Sequence, residues 1–332
     1  MIGVAVIGTG KWGRNHVRAY RELQLDGEVG KIIICDSNES RVQEMSKTLQ
    51  VEFVTDYRQI LKDPEIHAVN IATPSNTHYQ IAKDFLQAGK DILVEKPMTL
   101  NAGEAPELIS IAESTNCILM SGHLFRYHPA VRELKRMICA GDLGTINNIV
   151  SFRMALGIPR NDMGVIYALG IHELDLFCYL LGVDYPDSIT AVSSTTYSKE
   201  IEETTMISMD FGKAKGFALE SWLIPVYGKV RDLVVVGSEK SVRIDYLKPG
   251  ELHLFNAKIV LSNGTPVRVD NEGEYIVSIK YAEPLKEELK HFISCVNTRQ
   301  KPLSDGLVGL RAVIMAEAAL TSARTNRAVD VP

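Results

Sequence analysis

The sequence has few cysteines, and they form no recognisable pattern. There are five among 332 residues, an odd number, and none belongs to a Cys-x-x-Cys pair. Disulfide frameworks use cysteines in pairs, and zinc sites place them at short, regular spacings. We therefore expect reduced thiols, no metal site and a cytoplasmic protein.

The chain also lacks long apolar runs and a surplus of basic residues. No apolar stretch approaches the roughly 18 residues that span a bilayer, and no basic segment precedes the first apolar residues as in a signal peptide. With 36 Lys and Arg against 41 Asp and Glu, the formal net charge is −5. We therefore expect neither a membrane nor nucleic acid as a partner. An anionic small molecule is still compatible, because a few local cations are enough to bind it.

What the sequence does contain is typical of a folded protein with about two domains. In the first third, short apolar segments alternate with helical patterns, which favours a parallel sheet covered on both faces. Predicted strands cover residues 3–7, 31–35, 68–72, 91–94 and 117–120, and predicted helices cover 13–23, 39–49, 76–88 and 102–114. We predict an N-terminal α/β domain with a doubly wound parallel sheet over residues 1–122.

The pattern changes after residue 122. A helix over 126–139 is followed by long β-branched runs with period-two alternation, at 146–154, 188–197, 204–211, 216–222 and 233–236. Turn signals such as Ser262-Asn263-Gly264 separate these runs, and two helices near 283–297 and 304–326 end the chain. We predict an α+β domain with a large, mostly antiparallel open sheet over residues 123–332.

A glycine-rich turn follows the first predicted strand and begins the first helix. Gly8-Thr9-Gly10-Lys11-Trp12-Gly13 fits Gly-x-Gly-x-x-Gly. The first glycine permits the tight turn, the second lets a pyrophosphate approach the backbone, and the third allows close packing of helix and strand. This position predicts a Rossmann domain that binds a dinucleotide through these six residues; a glycine turn without a ligand is the alternative.

Asp36 ends the second predicted strand. Its carboxylate can accept hydrogen bonds from an adenosine ribose and would repel a 2′-phosphate, which favours NAD over NADP. The separation from Gly8 exceeds the usual span of about 20 residues, and residues 24–30 have the character of a loop insertion that absorbs the difference. The alternative is that Asp36 only stabilises a turn.

Three further motifs carry a family resemblance that covers essentially the whole chain. They are Ala72-Thr73-Pro74-Ser75-Asn76-Thr77-His78, Glu95-Lys96-Pro97 and Gly170-Ile171-His172. Together with the glycine turn, they resemble the glucose-fructose oxidoreductase/inositol dehydrogenase/MocA (Gfo/Idh/MocA) family. The resemblance implies a Rossmann domain joined to an open-sheet domain, which binds substrate and forms homodimers or homotetramers through that sheet.

The resemblance also implies roles for residues that follow the predicted parallel strands, where doubly wound folds bind their ligands. Cofactor contacts would come from Thr73, Pro74, Asn76, His78, Glu95 and Lys96. Lys96 would also position a substrate hydroxyl and stabilise the alkoxide that develops there. Taken alone, His78 could equally be a helix-start residue that caps locally, and Lys96 could belong to a surface loop.

His172 lies on a predicted helix over residues 164–181 and resembles the family's acid or base for the substrate hydroxyl. An unperturbed imidazole pKa of about 6.5 suits that task. Many family members have aspartate where Ala168 stands, so a proton relay at that position is missing here. Asp175, three residues after His172, could orient the imidazole instead, while Glu173 points away. A structural histidine, and an Asp175 that only satisfies a loop amide, are the alternatives.

Two segments resemble a branch of the family that oxidises C3 of UDP-linked N-acetylglucosamine or its uronate. They are residues 122–131 (GHLFRYHPAV) and 225–231 (PVYGKVR). Phosphates of such a substrate need cations, and arginine suits them. Arg126, with Arg153 and Arg160 in a predicted loop over 151–162, could supply these, or could be solvated surface residues. Tyr167 is a further candidate substrate contact.

The sequence thus predicts an NAD-dependent oxidoreductase that transfers a hydride from a sugar hydroxyl, at C3 of a UDP-N-acetylhexosamine or its uronate. One alternative is a free polyol or sugar dehydrogenase of the inositol dehydrogenase type. The other is a regulator that binds NAD without turnover.

Overall fold

The computed structural model describes residues 1–226 and 228–332. Tyr227, in the middle of the 225–231 segment, lies outside the described residues. The chain forms two compact units, residues 1–127 with 283–313 and residues 128–282 with 314–332. The first unit therefore also takes in a segment from the C-terminal part of the chain. The assignment of substrate binding and oligomerisation to residues 123–332 stays a prediction.

Eight α-helices lie in the described residues. They are α1 Lys11–Leu25, α2 Glu39–Leu49, α3 His78–Gln87, α4 Ala105–Ser114, α5 Pro129–Ala140, α6 Ile171–Leu181, α7 Pro284–Thr298 and α8 Gly306–Thr325. Several end at a residue with positive φ, among them α5 at Gly141 and α6 at Gly182. This is the common glycine termination of a helix.

The first unit contains a six-stranded sheet in which every paired neighbour is parallel. Its strands are β1 Ile2–Ile7, β2 Val29–Cys35, β3 Glu52–Val54, β4 Ala68–Ile71, β5 Asp91–Glu95 and β6 Leu119–Gly122, in the order β3-β2-β1-β4-β5-β6. The strand order reverses between β1 and β4, and doubly wound sheets bind their ligands at such a point. The predicted doubly wound parallel sheet is confirmed.

Both faces of this sheet are covered, and every residue of its central strands β1 and β4 is buried. Val4 and Val6 of β1 pack on the side that holds α1, α2 and α7. Ala5 and Ile7 pack on the opposite side with α3 and α4. Helix α7, from the C-terminal part of the chain, thus supplies part of the core of the N-terminal sheet.

The second unit contains a nine-stranded sheet. Its strands are β7 Ile146–Ala155, β8 Ser188–Ser194, β9 Thr204–Phe211, β10 Ala214–Ser221, β11 Lys229–Gly237, β12 Ser241–Asp245, β13 Glu251–Ser262, β14 Thr265–Ser278 and β15 Val329–Asp330. The order is β14-β13-β12-β11-β7-β10-β9-β8-β15, and only β7 and β10 pair in parallel. This confirms the predicted large, mostly antiparallel sheet. The predicted turn at Asn263 and Gly264 has positive φ at both residues, as a tight hairpin requires.

Helix α8 is long and apolar enough to cross a membrane by length and composition alone. Its apolar residues are interrupted by Arg311 and Glu317. However, 56% of its most apolar window is buried inside the protein. A buried core helix passes the same test, so this helix is weak evidence for a membrane span.

Candidate cofactor site and catalytic helix

The glycine turn after β1 has the geometry that a dinucleotide site needs. Gly8 has a φ of +90°, and a Cβ there would lie 2.6 Å from the carbonyl oxygen of Ala72. A Cβ at Gly13 would overlap the carbonyl oxygen of Gly8, so the start of α1 can pack against the turn only without a side chain. A Cβ at Gly10, in contrast, would meet none of the described atoms within 4 Å. The turn is therefore tight at both ends and open in the middle.

A cleft of about 510 Å³ lies beside this open position. Three cationic side chains line it, Lys11 and Arg14 from the first turn of α1 and Arg41 from α2, together with Thr9, Gly10 and Asn15. Backbone N–H groups at a helix N-terminus and nearby cations both favour an anionic ligand.

Asp36 is fixed against the glycine turn. Its Oδ2 accepts hydrogen bonds from the backbone N–H and the hydroxyl of Thr9, both at 2.8 Å, and Arg41 lies 3.3 Å away. Its Oδ1 accepts the N–H of Asn38 at 2.9 Å. Burial raises the pKa of Asp36, but the hydrogen bonds from Asn38 and Thr9 outweigh it and lower the pKa. Asp36 is therefore an ionised acceptor beside the glycine turn.

The loops after β4 and β5 are joined through His78. This residue begins α3 and is buried, with Nε2 2.9 Å from the carbonyl oxygen of Thr73 and Nδ1 2.8 Å from that of Pro97. Burial lowers the pKa of His78, so a neutral ring donates to one of these carbonyls at a time. The half-buried Lys96 comes directly before Pro97. His78 thus holds the loop of Thr73 against the loop of Lys96.

Glu95, the last residue of β5, ties α1 to the Glu-Lys-Pro turn. One carboxylate oxygen accepts the indole N–H of Trp12 and lies 2.7 Å from Nε2 of His16, while the other accepts the backbone N–H of Lys96 at 3.2 Å. Burial raises the pKa of Glu95, but the hydrogen bonds from His16 and Trp12 outweigh it and lower the pKa. The carboxylate is thus occupied by protein donors. His16 is a residue that the sequence analysis missed, although it follows Trp12 at the i+4 spacing.

The predicted cofactor residues thus come from four segments of one unit: the glycine turn, Asp36, the loop after β4 and the Glu-Lys-Pro turn. Pro74 and Asn76 are exposed in the loop after β4, and Thr73 accepts a hydrogen bond from the hydroxyl of Thr77 at 2.7 Å. The open backbone at Gly10, the cationic cleft and the ionised Asp36 fit the pyrophosphate and ribose of NAD.

In the second unit, the helix that carries His172 starts with a π-helical turn over Ile166–Gly170 and continues as α6. Such turns are rare and are often found at functional sites. The turn changes the expected spacing of Ala168 to His172, because a π turn holds more residues than an α turn. His172 is half-buried, and Asp175 is buried one turn after it.

Glu202 holds the start of this helix and was not identified from the sequence. Its carboxylate accepts the backbone N–H of Ile166 at 3.0 Å, and its carbonyl accepts that of Val165 at 3.0 Å. Any side chain at Gly164 would overlap the Glu202 carboxylate. Tyr167, a predicted substrate contact, is buried beside this point, and burial raises its pKa.

Arg153 lies in β7, so its predicted position in a loop is wrong. It is 4% exposed and forms an ion pair with Glu173, the fully buried residue that follows His172. Its guanidinium also lies 5.1 Å from the ring centre of Tyr246. Glu220 and Arg231 are its register partners on the two neighbouring strands. The charge of Arg153 is thus balanced inside the unit, which anchors α6 to the middle of the sheet.

The other two predicted arginines are more accessible. Arg160 is 47% exposed in the loop after β7 and forms an ion pair with Asp162. In the first unit, Arg126 is half-buried and donates to the carbonyl of Leu303 at 2.9 Å.

Comparison with known proteins matches the chain to one family in two consecutive segments, and residues 283–313 of the first unit fall in the second segment. The NAD-binding Rossmann domain of the Gfo/Idh/MocA oxidoreductase family matches residues 2–123, and the C-terminal α/β domain of that family matches residues 135–331. Together these matches cover nearly the whole chain.

Named relatives include sugar and polyol dehydrogenases. The chain is 28% identical to a UDP-N-acetylglucosamine 3-dehydrogenase of Acidithiobacillus ferrooxidans, over 94% of both chains. It is 27% identical to an NAD⁺-dependent scyllo-inositol 2-dehydrogenase of Bacillus subtilis, over 90% of this chain and 87% of that protein.

Among solved structures, a UDP-N-acetylglucosamine 3-dehydrogenase from Acidithiobacillus ferrooxidans matches with a TM-score of 0.82 and 26% identity, over 98% of this chain and 99% of that one. The alternative of a regulator without turnover is therefore not retained. The chain belongs to the Gfo/Idh/MocA oxidoreductase family and is an NAD(P)-dependent dehydrogenase that acts on CH–OH groups.

Proposed function

We propose that the protein transfers a hydride from the C3 hydroxyl of a UDP-N-acetylhexosamine, or of its uronate, to NAD. The observation that carries this proposal is the 28% identity to a UDP-N-acetylglucosamine 3-dehydrogenase along 94% of both chains. The segment over 122–131 and the exposed arginine of the loop after β7 support it, since a nucleotide sugar brings a diphosphate that needs cations.

Lys96 is the proposed group that holds the reacting hydroxyl. Its ammonium donates a hydrogen bond to the oxygen and stabilises the negative charge that develops there, as a preorganised cation does in a site with little water. The position of Lys96 depends on Glu95, which accepts its backbone N–H, and on His78, which contacts the carbonyl of Pro97.

His172 is the proposed base that takes the hydroxyl proton, and Asp175 is the proposed residue that orients its ring. NAD, when bound, supplies the hydride acceptor at nicotinamide C4. The buried Glu173–Arg153 pair and Glu202 fix the helix on which His172 lies.

A second candidate is a dehydrogenase of free polyols. The 27% identity to scyllo-inositol 2-dehydrogenase over 90% of the chain favours it specifically. The two candidates differ in charge, because a polyol has no phosphates and does not need Arg160 or Arg126.

NADH formation with a UDP-sugar and with free inositols separates these candidates. We expect turnover with UDP-N-acetylglucosamine or its uronate, and an Arg160→Gln variant with a raised KM and an unchanged kcat. Arg268→Gln, on an exposed arginine of β14, is the matched control. Turnover with myo- or scyllo-inositol and none with either UDP-sugar would transfer the assignment to the second candidate.

We also propose that the protein forms a homodimer or homotetramer through the outer face of the nine-stranded sheet. Four apolar side chains form a row across β8, β9, β10 and β7, namely Val192, Met206, Leu219 and Phe152. Val192 and Met206 are each more than half exposed. Light scattering after size-exclusion chromatography tests this: Met206→Glu should yield monomers, and an unchanged mass would refute this interface.

The cytoplasmic location stays a prediction.

A further inference from the structure

Glu288 of α7 is a fully buried carboxyl group to which the mechanism above assigns no role. None of its surface is exposed, and neither carboxyl oxygen has a hydrogen-bond partner among the described residues. Nearly all buried polar groups in native proteins are paired, because an unpaired one costs free energy. A buried carboxyl group kept without a partner therefore calls for a functional reason.

The position of Glu288 suggests that reason. It belongs to the buried face of α7, whose apolar residues share one core with Tyr20 of α1 and Met120 of β6, and the charge of Glu95 acts on it there. Glu95 links the first turns of α1, through Trp12 and His16, to the backbone of Lys96. A Cβ at Gly122, on the neighbouring strand, would come within 3.2 Å of the Glu95 carboxylate, so that side chain has little room to move. Glu288 is thus coupled electrostatically to the group that connects the cofactor turn to the proposed catalytic lysine.

Two neighbouring buried carboxyl groups cannot both be ionised at little cost. Glu95 has three donors and is the anion of the pair. Glu288 has none, and burial together with the charge of Glu95 raises its pKa well above the usual range. The proton of the pair is therefore on Glu288.

Titratable and charged groups lie on the elements that pack around the pair. They are His16 and Tyr20 on α1, Lys96 after β5, Arg126 and Tyr127 in the short turn before α5, and His291 and Cys295 on α7 itself. Burial raises the pKa of Tyr20 and of Tyr127, so both are neutral. Glu95 is the anion in this set, and it keeps its own three donors.

We propose that Glu288 is a positioning residue for the NAD site: it holds a proton, and so allows Glu95 to keep Trp12 and the Glu-Lys-Pro turn in place. Loss of that proton would put a second negative charge beside Glu95 and displace one carboxylate from its contacts. NAD affinity should then fall as pH rises, by up to tenfold per pH unit, as expected for one linked proton.

Calorimetric titration of the full-length protein with NAD between about pH 6 and about pH 10 tests this proposal. We expect the wild type to bind more weakly as Glu288 ionises. Glu288→Gln keeps a neutral group of the same shape, so it should bind NAD within about twofold of the wild type at neutral pH and lose the alkaline decline. Glu287→Gln, on the half-exposed neighbouring residue of α7, should retain the decline.

Three results would overturn the proposal. These are a wild type without alkaline weakening, a Glu288→Gln variant that retains it, and a variant that binds NAD more than tenfold more weakly at neutral pH. If the variant does not fold, the infrared carbonyl band of a protonated carboxyl group in the wild type decides: it must disappear over the same pH range as NAD binding. These readouts need no sugar, so a wrong substrate assignment leaves the test intact.

Discussion

Removing either partner of the Arg153–Glu173 ion pair should strongly destabilise the second unit. Both side chains are buried, at 4% and 0% exposure, and breaking a buried pair costs about 3–5 kcal/mol because the remaining charge is left in the interior. Arg153→Met leaves two buried carboxylates, Glu173 of α6 and Glu220, the register partner of Arg153 on β10, and should reach the upper end of this range. Glu173→Gln leaves Arg153 beside Glu220, which can compensate part of its charge, and should cost about 3 kcal/mol.

Thermal unfolding followed by circular dichroism measures this effect. For a unit of about 170 residues, 1 kcal/mol corresponds to about 2–4 °C in Tm, so the two variants should lose about 6–20 °C. Asp270→Asn, which breaks the exposed pair with Arg268 in the same unit, should cost less than about 1 kcal/mol. The double variant Arg153→Met/Glu173→Met should recover part of the loss, because one buried carboxylate, Glu220, then remains instead of two. A Glu173→Gln variant with the same Tm as the Asp270→Asn control would refute this reasoning.

Four further predictions concern the cofactor and the chemistry. His172→Ala should lower kcat about 100- to 10,000-fold and leave NAD binding intact; unchanged turnover would remove His172 from the mechanism. Asp36→Ala should reduce the preference for NAD over NADP, measured as the ratio of kcat/KM values, about tenfold or more; a wild type that already prefers NADP would contradict the role given to Asp36. Gly10→Ala should fold normally, since its Cβ meets open space, yet bind NAD about tenfold or more weakly. Unchanged NAD affinity would mean that the pyrophosphate does not bind at this turn. Because the pKa of Glu288 is raised, the folded state keeps a proton that the unfolded state loses above about pH 4.3, so the free energy of unfolding falls by up to about 1.4 kcal/mol per pH unit as pH rises towards the folded pKa. In urea unfolding at several pH values, the free energy of unfolding of Glu288→Gln should rise relative to that of the wild type by the same amount per pH unit. A constant difference between the two proteins across pH would argue against the raised pKa.

The sequence predicts the first unit well because its central strands are buried on both sides. Such strands are continuous apolar runs, and the predicted segments 3–7, 31–35 and 91–94 lie within β1, β2 and β5. The three-residue strand β3 was missed because it is short and largely exposed. The glycine turn was readable because its steric demands admit only one residue type.

The buried charges could not be predicted from the sequence in the same way. Glu288 stands in the segment KEELKH, where alternating charges are typical of a solvated helix face. Arg153 and Glu173 are 20 residues apart in the chain, and only the packing of α6 on β7 brings them together. Glu220 did carry a signal, since the period-two pattern of β10 places it on the same face as Gly216 and Ala218.

The long hairpin of β13 and β14 gives the second unit an edge that could pair with other chains. Strand β14 is the last strand in the sheet order and is exposed along nearly all of its 14 residues. An exposed edge of this kind is a template for aggregation unless charges or bulges interrupt it. Both are present: Arg268, Asp270, Glu272 and Glu274 carry charges along the strand, and the register with β13 shifts twice. Replacement of these charged residues by apolar ones should therefore make this hairpin the place where the protein begins to aggregate.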